Sequence, residues 1–429
     1  MVKTCVRLAL MLCFVASAGN VFAEGFGLYE WSSRGVALGG AAMARKPDAS
    51  SVAYNPALLT RLSGARAMVG VSAVMPRGKV QWTDEHGKQG TTTLKRLNWF
   101  IPHAYFTRQL NDDWVFGIGE YTRFGLGFEY PHDWIGRHNI YEVELTTFSI
   151  NPNIAWRATE NLSVAAGVEV MYVSLDLRKR VAVGDVTVAP GLTLKGGDFD
   201  VNIRNADAWG VGGNFALHYK FNEQWAVGLQ YKSKVRVHAF GDVSYNNIDM
   251  NPMLYSNPRV MGNQKNGTAH SVVVFPDSVS AGLAYMPIPE LSLEAGFVWT
   301  RWSAFNSLNI HFPQPMGKQD TPKHWRDAWR FNAGIEYEMC DRLTLRGGYV
   351  YDQTPMTEAY EDYLVPTNDR HIWSAGIGLN FDAWTVDLSA AFIDAIGRRY
   401  QADARTHTVR SRAKASDTYI YSLSVGYKF

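Results

Sequence analysis

Apolar and polar residues alternate with period two along most of this chain, and the alternation is cleanest at its carboxy terminus. Tyr419, Tyr421, Leu423, Val425, Tyr427 and Phe429 share one face of a strand, while Ser422, Ser424, Gly426 and Lys428 share the other. Fourteen segments of this kind lie between Ala65 and Phe429, among them Ala65–Val80, Trp114–Phe128, Trp225–His238, Ser271–Tyr285 and Trp384–Phe392. Their connections alternate in length. Short links such as Leu110–Asp113, Thr159–Asn161 and Phe221–Gln224 take turns with long ones such as Gln81–Leu94, Val181–Asp207, Ala239–His270 and Ile393–Asp417. An even number of antiparallel strands, with short turns at one end and long loops at the other, is the pattern of a single-chain outer-membrane barrel. A soluble β-sandwich would alternate too, but nothing in that architecture asks for alternating loop lengths. The chain is therefore predicted to be all-β: a 14-stranded antiparallel transmembrane β-barrel spanning residues 65–429.

The polar faces carry both signs of charge, at Glu169, Lys232, Lys234, Glu294, Glu336, Arg346 and Asp387. A lipid-facing Arg or Lys at the midplane would cost about 2–4 kcal/mol, which assigns all of these to the lumen. Glycines recur on that face (Gly167, Gly228, Gly282, Gly296, Gly376, Gly378) and leave room for something inside. Residues 24–64 supply the candidate. They are small and apolar over Gly35–Ala44, turn-rich at Lys46-Pro47-Asp48, and do not alternate. Because fourteen strands enclose a space too wide for side chains alone, this segment is predicted to be a hatch folded into the lumen.

The amino terminus fixes the compartment. Lys3 and Arg7 precede the apolar run Leu8–Ala18, and Val21-Phe22-Ala23 places small residues where a signal peptidase cuts, so residues 1–23 read as a signal peptide. The remaining chain has no apolar run of about 18 residues, which excludes helical spans. Its charge is balanced. Of 42 Lys+Arg, two belong to the signal, leaving 40 against 40 Asp+Glu, and nucleic acid is not an expected partner. Cys5 and Cys13 leave with the signal, and Cys340 alone cannot form an intrachain disulfide.

Several spaced blocks carry a family resemblance. The segment Phe26–Leu62, with Asn55-Pro56-Ala57, resembles the hatch of the FadL/TodX family of outer-membrane transporters for long-chain fatty acids and other hydrophobic compounds. Phe124–Arg137 resembles that family's third strand and following loop. Phe275–Tyr285, Trp299–Leu308, Trp325–Met356 and Asp369–Phe381 extend the likeness over the mature chain. The resemblance implies capture of cargo by outer loops, transfer to an apolar lumen pocket, and release by hatch movement or through a lateral opening at the third strand. It places the hatch elbow at Asn55, Pro56 and Ala57, and the lateral opening at Phe124, Gly125, Leu126 and Gly127. Two glycines there weaken pairing and permit a bulge. Phe26 and Leu28 are candidate pocket residues. A fatty-acid carboxylate needs a cation, for which Lys232, Lys234 and Arg346 are the lumen-facing candidates, although each is equally placed to pair with Glu294 or Glu336.

No nucleophile motif such as Gly-x-Ser-x-Gly accompanies the scattered histidines, and His132 and His138 flank Asp133 at no metal-ligand spacing. Neither an enzyme, a cofactor nor a bound metal is expected. The expected partners are a fatty acid or aromatic hydrocarbon, the surrounding lipid, and the barrel assembly machinery, with the protein itself a monomer. The basic loop Ile393–Asp417 is a candidate contact for lipopolysaccharide phosphates. Met250, Met253, Leu254, Tyr255 and Met261 make Ala239–His270 a candidate capture surface, local loop packing being the other account of the same residues.

Overall fold

The computed structural model describes residues 25–247, 249–255, 264–314, 316–364, 368–414 and 418–429. The signal peptide and Met261 lie outside them. Fourteen antiparallel strands close on themselves. They are β1 (Ala65–Pro76), β2 (Trp99–Gln109), β3 (Trp114–Tyr121 and Gly125–Glu129), β4 (Glu142–Arg157) and β5 (Leu162–Val183). Next come β6 (Gly197–Lys220), β7 (Trp225–Lys232 and Val235–Asn247), β8 (Gly267–Phe275 and Ser278–Ile288) and β9 (Leu291–Thr300). The circuit ends with β10 (Ala328–Cys340), β11 (Leu343–Asp352), β12 (Arg370–Phe381), β13 (Trp384–Ala395) and β14 (Thr418–Lys428). The last strand closes the ring. It pairs with β13 in the register Leu388↔Leu423 and with β1 in the register Val69↔Val425.

The outward faces form an apolar belt, with Val69, Phe100, Trp209, Val211 and Trp373 all more than half exposed. Stacked pairs such as Trp114–Trp156 and Trp225–Tyr285 mark its short-turn edge. The inward faces are buried, and what buries them is the amino-terminal segment. Its short helices α1 (Ser33–Ala37) and α2 (Ser51–Tyr54) and the 3-10 turn Pro56–Arg61 are buried almost throughout. Glycines on the wall make the fit possible. A Cβ on Gly228 would lie 1.9 Å from the Met43 carbonyl oxygen, and one on Gly376 would lie 2.6 Å from the Ala37 Cβ. Neither contact is physically tolerable, so the wall must be bare where the hatch touches it.

Three strands that the sequence pattern predicts as unbroken are interrupted. In β8 the break falls at Pro276-Asp277, where proline offers no N–H to the ladder. The break in β7 at Ser233-Lys234 lies directly across from it, since Lys232 pairs with Ser278 and Val235 with Phe275. In β3 the ladder stops at Thr122–Phe124, where Arg123 O accepts from Leu28 N–H of the hatch and Phe124 bonds the Thr147 hydroxyl of β4. The predicted strand Ala65–Val80 ends early at Pro76. The residues beyond it join a four-stranded sheet over the long-loop end, built from Lys79–Thr83, Gln89–Thr93, Arg398–Tyr400 and Ser411–Lys414.

Candidate functional site

Above the hatch, towards the long-loop end, lies a cavity of about 70 Å³. Phe26, Leu126, Val143, Leu177, Val237 and Phe275 are among its walls, and among the described residues its only polar lining is His270 and Ser271. The Ser271 hydroxyl has no hydrogen-bond partner. Among the described residues no charged side chain lines the chamber, so it offers apolar transfer, worth about 25 cal/mol per Å² buried, and little else.

The chamber floor is aromatic. Phe26 meets Phe124 edge-on at 5.9 Å between centroids, Phe275 at 6.0 Å, Trp302 at 4.7 Å and Phe305 at 5.5 Å. Trp325 packs on Trp302 at 5.2 Å, and neither indole N–H is hydrogen-bonded. Below the floor lies a second, mixed cavity of about 40 Å³ lined by Leu28, Trp31, Arg123 and Lys232. Phe26 therefore separates an apolar room from a polar one.

Of the three cations proposed for a carboxylate, none reaches the chamber. Lys232 faces the lumen but lies beneath the floor, where its ammonium donates to the Tyr121 hydroxyl at 2.6 Å and sits 4.8 Å from the Trp31 ring centroid. Lys234 faces outward. The break at Ser233-Lys234 reverses the facing of β7, so Lys232 and Val235 are buried while Lys234 and Arg236 are exposed. Arg346 is held by Glu336 at 2.7 Å and Asp387 at 2.6 Å. That pairing belongs to the hatch, because Arg34 of α1 grips the same Glu336 carboxylate through two bonds of 2.8 Å. A second buried carboxylate, Glu294, accepts the backbone N–H of Met43 at 2.7 Å and of Ala44 at 3.0 Å, with Arg45 beside it.

A cation with the right position is Lys179, which the sequence reading passed over. It lies two residues beyond Leu177 on the same face of β5, one step above the chamber, and is partly buried. Among the described residues its ammonium forms no hydrogen bond or ion pair. Burial, followed by the charges of Lys179 and His138, holds the His407 imidazole below its ordinary pKa.

Asn55, Pro56 and Ala57 form a rigid elbow. The Asn55 side chain accepts from the Ala57 N–H at 3.1 Å, and donates to Met43 O at 2.6 Å and to Leu217 O on β6 at 3.1 Å. Pro56 opens the 3-10 turn, where its missing N–H costs nothing.

Phe124–Gly127 border a gap in the wall. β2 pairs with β3 only over Ala104–Gln109, and Gly125–Glu129 pairs with β4 alone. Phe26 and Leu28 occupy the inner side of this gap. Gly125 N–H donates to Phe26 O at 2.9 Å, and Leu28 N–H to Arg123 O at 2.8 Å. The Trp99 indole of β2 covers Gly127, where a Cβ would fall 2.3 Å from the ring. Lys95 N–H donates to Glu129 O at 2.8 Å and caps the gap above. In the loop after β7, Met250 and Leu254 pack with Leu194, whereas Met253 and Tyr255 are exposed.

Comparison with known proteins agrees with this architecture. A family model described as outer membrane protein transport protein (OMPP1/FadL/TodX) matches residues 14–429. The chain is 26% identical to outer membrane protein P1 of Haemophilus influenzae, with 98% of each chain covered. It is 23% identical to the long-chain fatty acid transport protein of Salmonella typhi, again over 98% of each. Among solved structures, a Pseudomonas aeruginosa FadL homologue superposes with a TM-score of 0.83 at 19% identity, covering 94% of this chain and 100% of that one. The Pseudomonas putida toluene transporter TodX gives 0.70 at 22% identity, covering 94% and 99%.

Proposed function

The chain belongs to the OMPP1/FadL/TodX family of outer-membrane transport proteins for hydrophobic compounds, and from that premise we propose that its cargo is a long-chain fatty acid that leaves sideways through the gap between β2 and β3. The single observation that carries this reading is the chamber: an apolar room, with an unpaired Lys179 one step above it and the unpaired edges of β2 and β3 beside its floor. The hydrocarbon tail occupies the chamber, and the carboxylate meets Lys179.

At about 70 Å³ the resting chamber is smaller than the dry cavity of about 150 Å³ that admits a benzene ring. Cargo must therefore displace side chains, and the floor is the movable part. Phe26 is held by ring contacts and by the backbone bond from Gly125 N–H, next to the isolated bridge between Gly27 and Phe124. The body of the hatch is tied to the wall by the buried Glu336 and Glu294 networks. Moving that body would break several charged contacts at once, each leaving a buried charge uncompensated. Shifting Phe26–Leu28 and the Trp99 indole breaks far fewer, and opens onto the membrane interior where an apolar cargo is stable. No catalytic group or cofactor is needed for such a passage.

An aromatic hydrocarbon is the second reading, favoured by the absence of charge in the chamber lining itself. Titration of the purified protein separates the two. On the fatty-acid reading, Lys179→Met weakens a long-chain fatty acid by about tenfold or more, as expected for a lost charged hydrogen bond, and leaves the alcohol of equal length unchanged. Equal fatty-acid binding by both proteins, with an aromatic hydrocarbon bound tightly, would assign the cargo to the hydrocarbon class.

A further inference from the structure

The sheet over the long-loop end carries a groove of about 590 Å³ that the transport reading leaves unused. Its four strands align Arg399, Arg412, Gln81 and Thr91 in one row, since Arg399 pairs with Arg412, Arg412 with Gln81, and Gln81 with Thr91. Arg410 lines the same groove beside Thr83, whose N–H donates to the Arg410 carbonyl at 2.9 Å. Among the described residues no acidic one lines it.

Two arginines directly opposite each other on neighbouring strands repel, and such a cross-strand pair is destabilising unless an anion lies between them. The remaining arginines of this loop are already partnered. Arg398 bonds Glu361 at 2.9 Å, and Arg405 bonds Asp403 at 2.7 Å. Arg399, Arg410 and Arg412 form no side-chain hydrogen bond or ion pair among the described residues. The loop thus divides into cations that hold the fold together and three that converge, unpaired, on one open groove.

We propose that this groove binds a phosphorylated oligosaccharide, as presented by the headgroup of a neighbouring outer-leaflet glycolipid. Guanidinium forks match phosphate oxygens two at a time. The row crosses three strand spacings, about 14 Å, which is longer than one phosphate and suits a chain of sugars. Gln81, Thr91 and Gln401 line the groove and supply the mixed donors and acceptors that sugar hydroxyls require. The long-loop end of an outer-membrane barrel faces the cell exterior, where such headgroups stand.

The test uses purified full-length protein in detergent micelles with three probes: deacylated, phosphorylated core oligosaccharide from lipopolysaccharide, the same oligosaccharide after dephosphorylation, and inorganic phosphate. Calorimetric titration is expected to show the phosphorylated oligosaccharide binding at least tenfold more tightly than either other probe. The double variant Arg399→Gln/Arg412→Gln loses at least tenfold of that affinity. The groove assignment is overturned if the variant binds as the parent does, or if the dephosphorylated sugar binds equally well. Inorganic phosphate binding as tightly as the oligosaccharide overturns the saccharide assignment and leaves a free anion as the ligand. A second readout guards against a structural role. Without ligand, the double variant keeps or raises the thermal midpoint because repulsion is relieved, whereas a lowered midpoint would show that the arginines support the fold and would overturn the proposal.

Discussion

Phe26 of the hatch packs edge-on against Phe124 of β3, with ring centroids 5.9 Å apart, at the place where β3 leaves the barrel ladder. Their backbones are joined as well, through the bridge between Gly27 and Phe124. One aromatic contact therefore forms the chamber floor and lines the gap in the wall.

Replacing that ring should unseat the floor. Phe26→Ala removes a buried aromatic side chain, a change that costs about 3–5 kcal/mol in a packed core. Here the loss falls on docking of the hatch tip, because the strands keep their own ladder. The expected outcome is faster release of bound hydrophobic cargo from the purified protein, by tenfold or more, with unchanged heat-modified gel mobility of the barrel. Release at the parent rate would mean that Phe26 does not close the chamber.

Trp99 should act as a shutter. Trp99→Ala leaves Gly127 uncovered and widens the gap between β2 and β3. Hydrophobic uptake into proteoliposomes should rise several-fold, while sugar-driven liposome swelling stays at the parent level because the hatch body still fills the axis. A rise in both fluxes would show that Trp99 supports the hatch rather than the gap.

Glu336 should matter for the hatch more than for the barrel. Its carboxylate meets Arg34 at 2.8 Å and Arg346 at 2.7 Å, all three side chains being buried. Glu336→Gln removes the carboxylate that both guanidiniums share, leaving Arg346 only Asp387 and Arg34 only Asp48 at 3.4 Å, at a cost of about 3–5 kcal/mol. Amide exchange of Ser33–Asp48 should quicken by a hundredfold or more, with strands β10 and β11 still protected. Unchanged exchange in the hatch would show that the network does not anchor it.

Much of the barrel was legible in the sequence because a strand exposes its environment every second residue. The alternation of Tyr419–Phe429 predicted a barrel strand there, and β14 spans Thr418–Lys428. Gly228 and Gly376 read as room for a plug, and they are where Met43 and Ala37 press against the wall. Lys234 was misread for a physical reason. Parity counting assumes an unbroken ladder, and the break opposite Pro276-Asp277 reverses the facing of every later residue of β7. Arg346 did face inward, but charge alone could not distinguish a ligand contact from a tether to Arg34 and Glu336. The floor was hidden because Trp302, Phe305 and Trp325 come from irregular segments where no periodicity applies. Lys179 was hidden because the chamber is defined only once β4, β5 and β6 are assembled.

The route itself is tested most directly by fixing the hatch to the wall. The Ser33 hydroxyl of α1 lies 3.0 Å from that of Ser389 on β13, so Ser33→Cys/Ser389→Cys, in a Cys340→Ser background to remove the exposed free thiol, can be bridged with little movement. Fatty-acid uptake is then compared in the oxidised and reduced protein. A lateral exit predicts equal rates, since only Phe26–Leu28 and Trp99 need to move. Uptake that stops on oxidation and returns on reduction would contradict the account and send the cargo through the hatch instead.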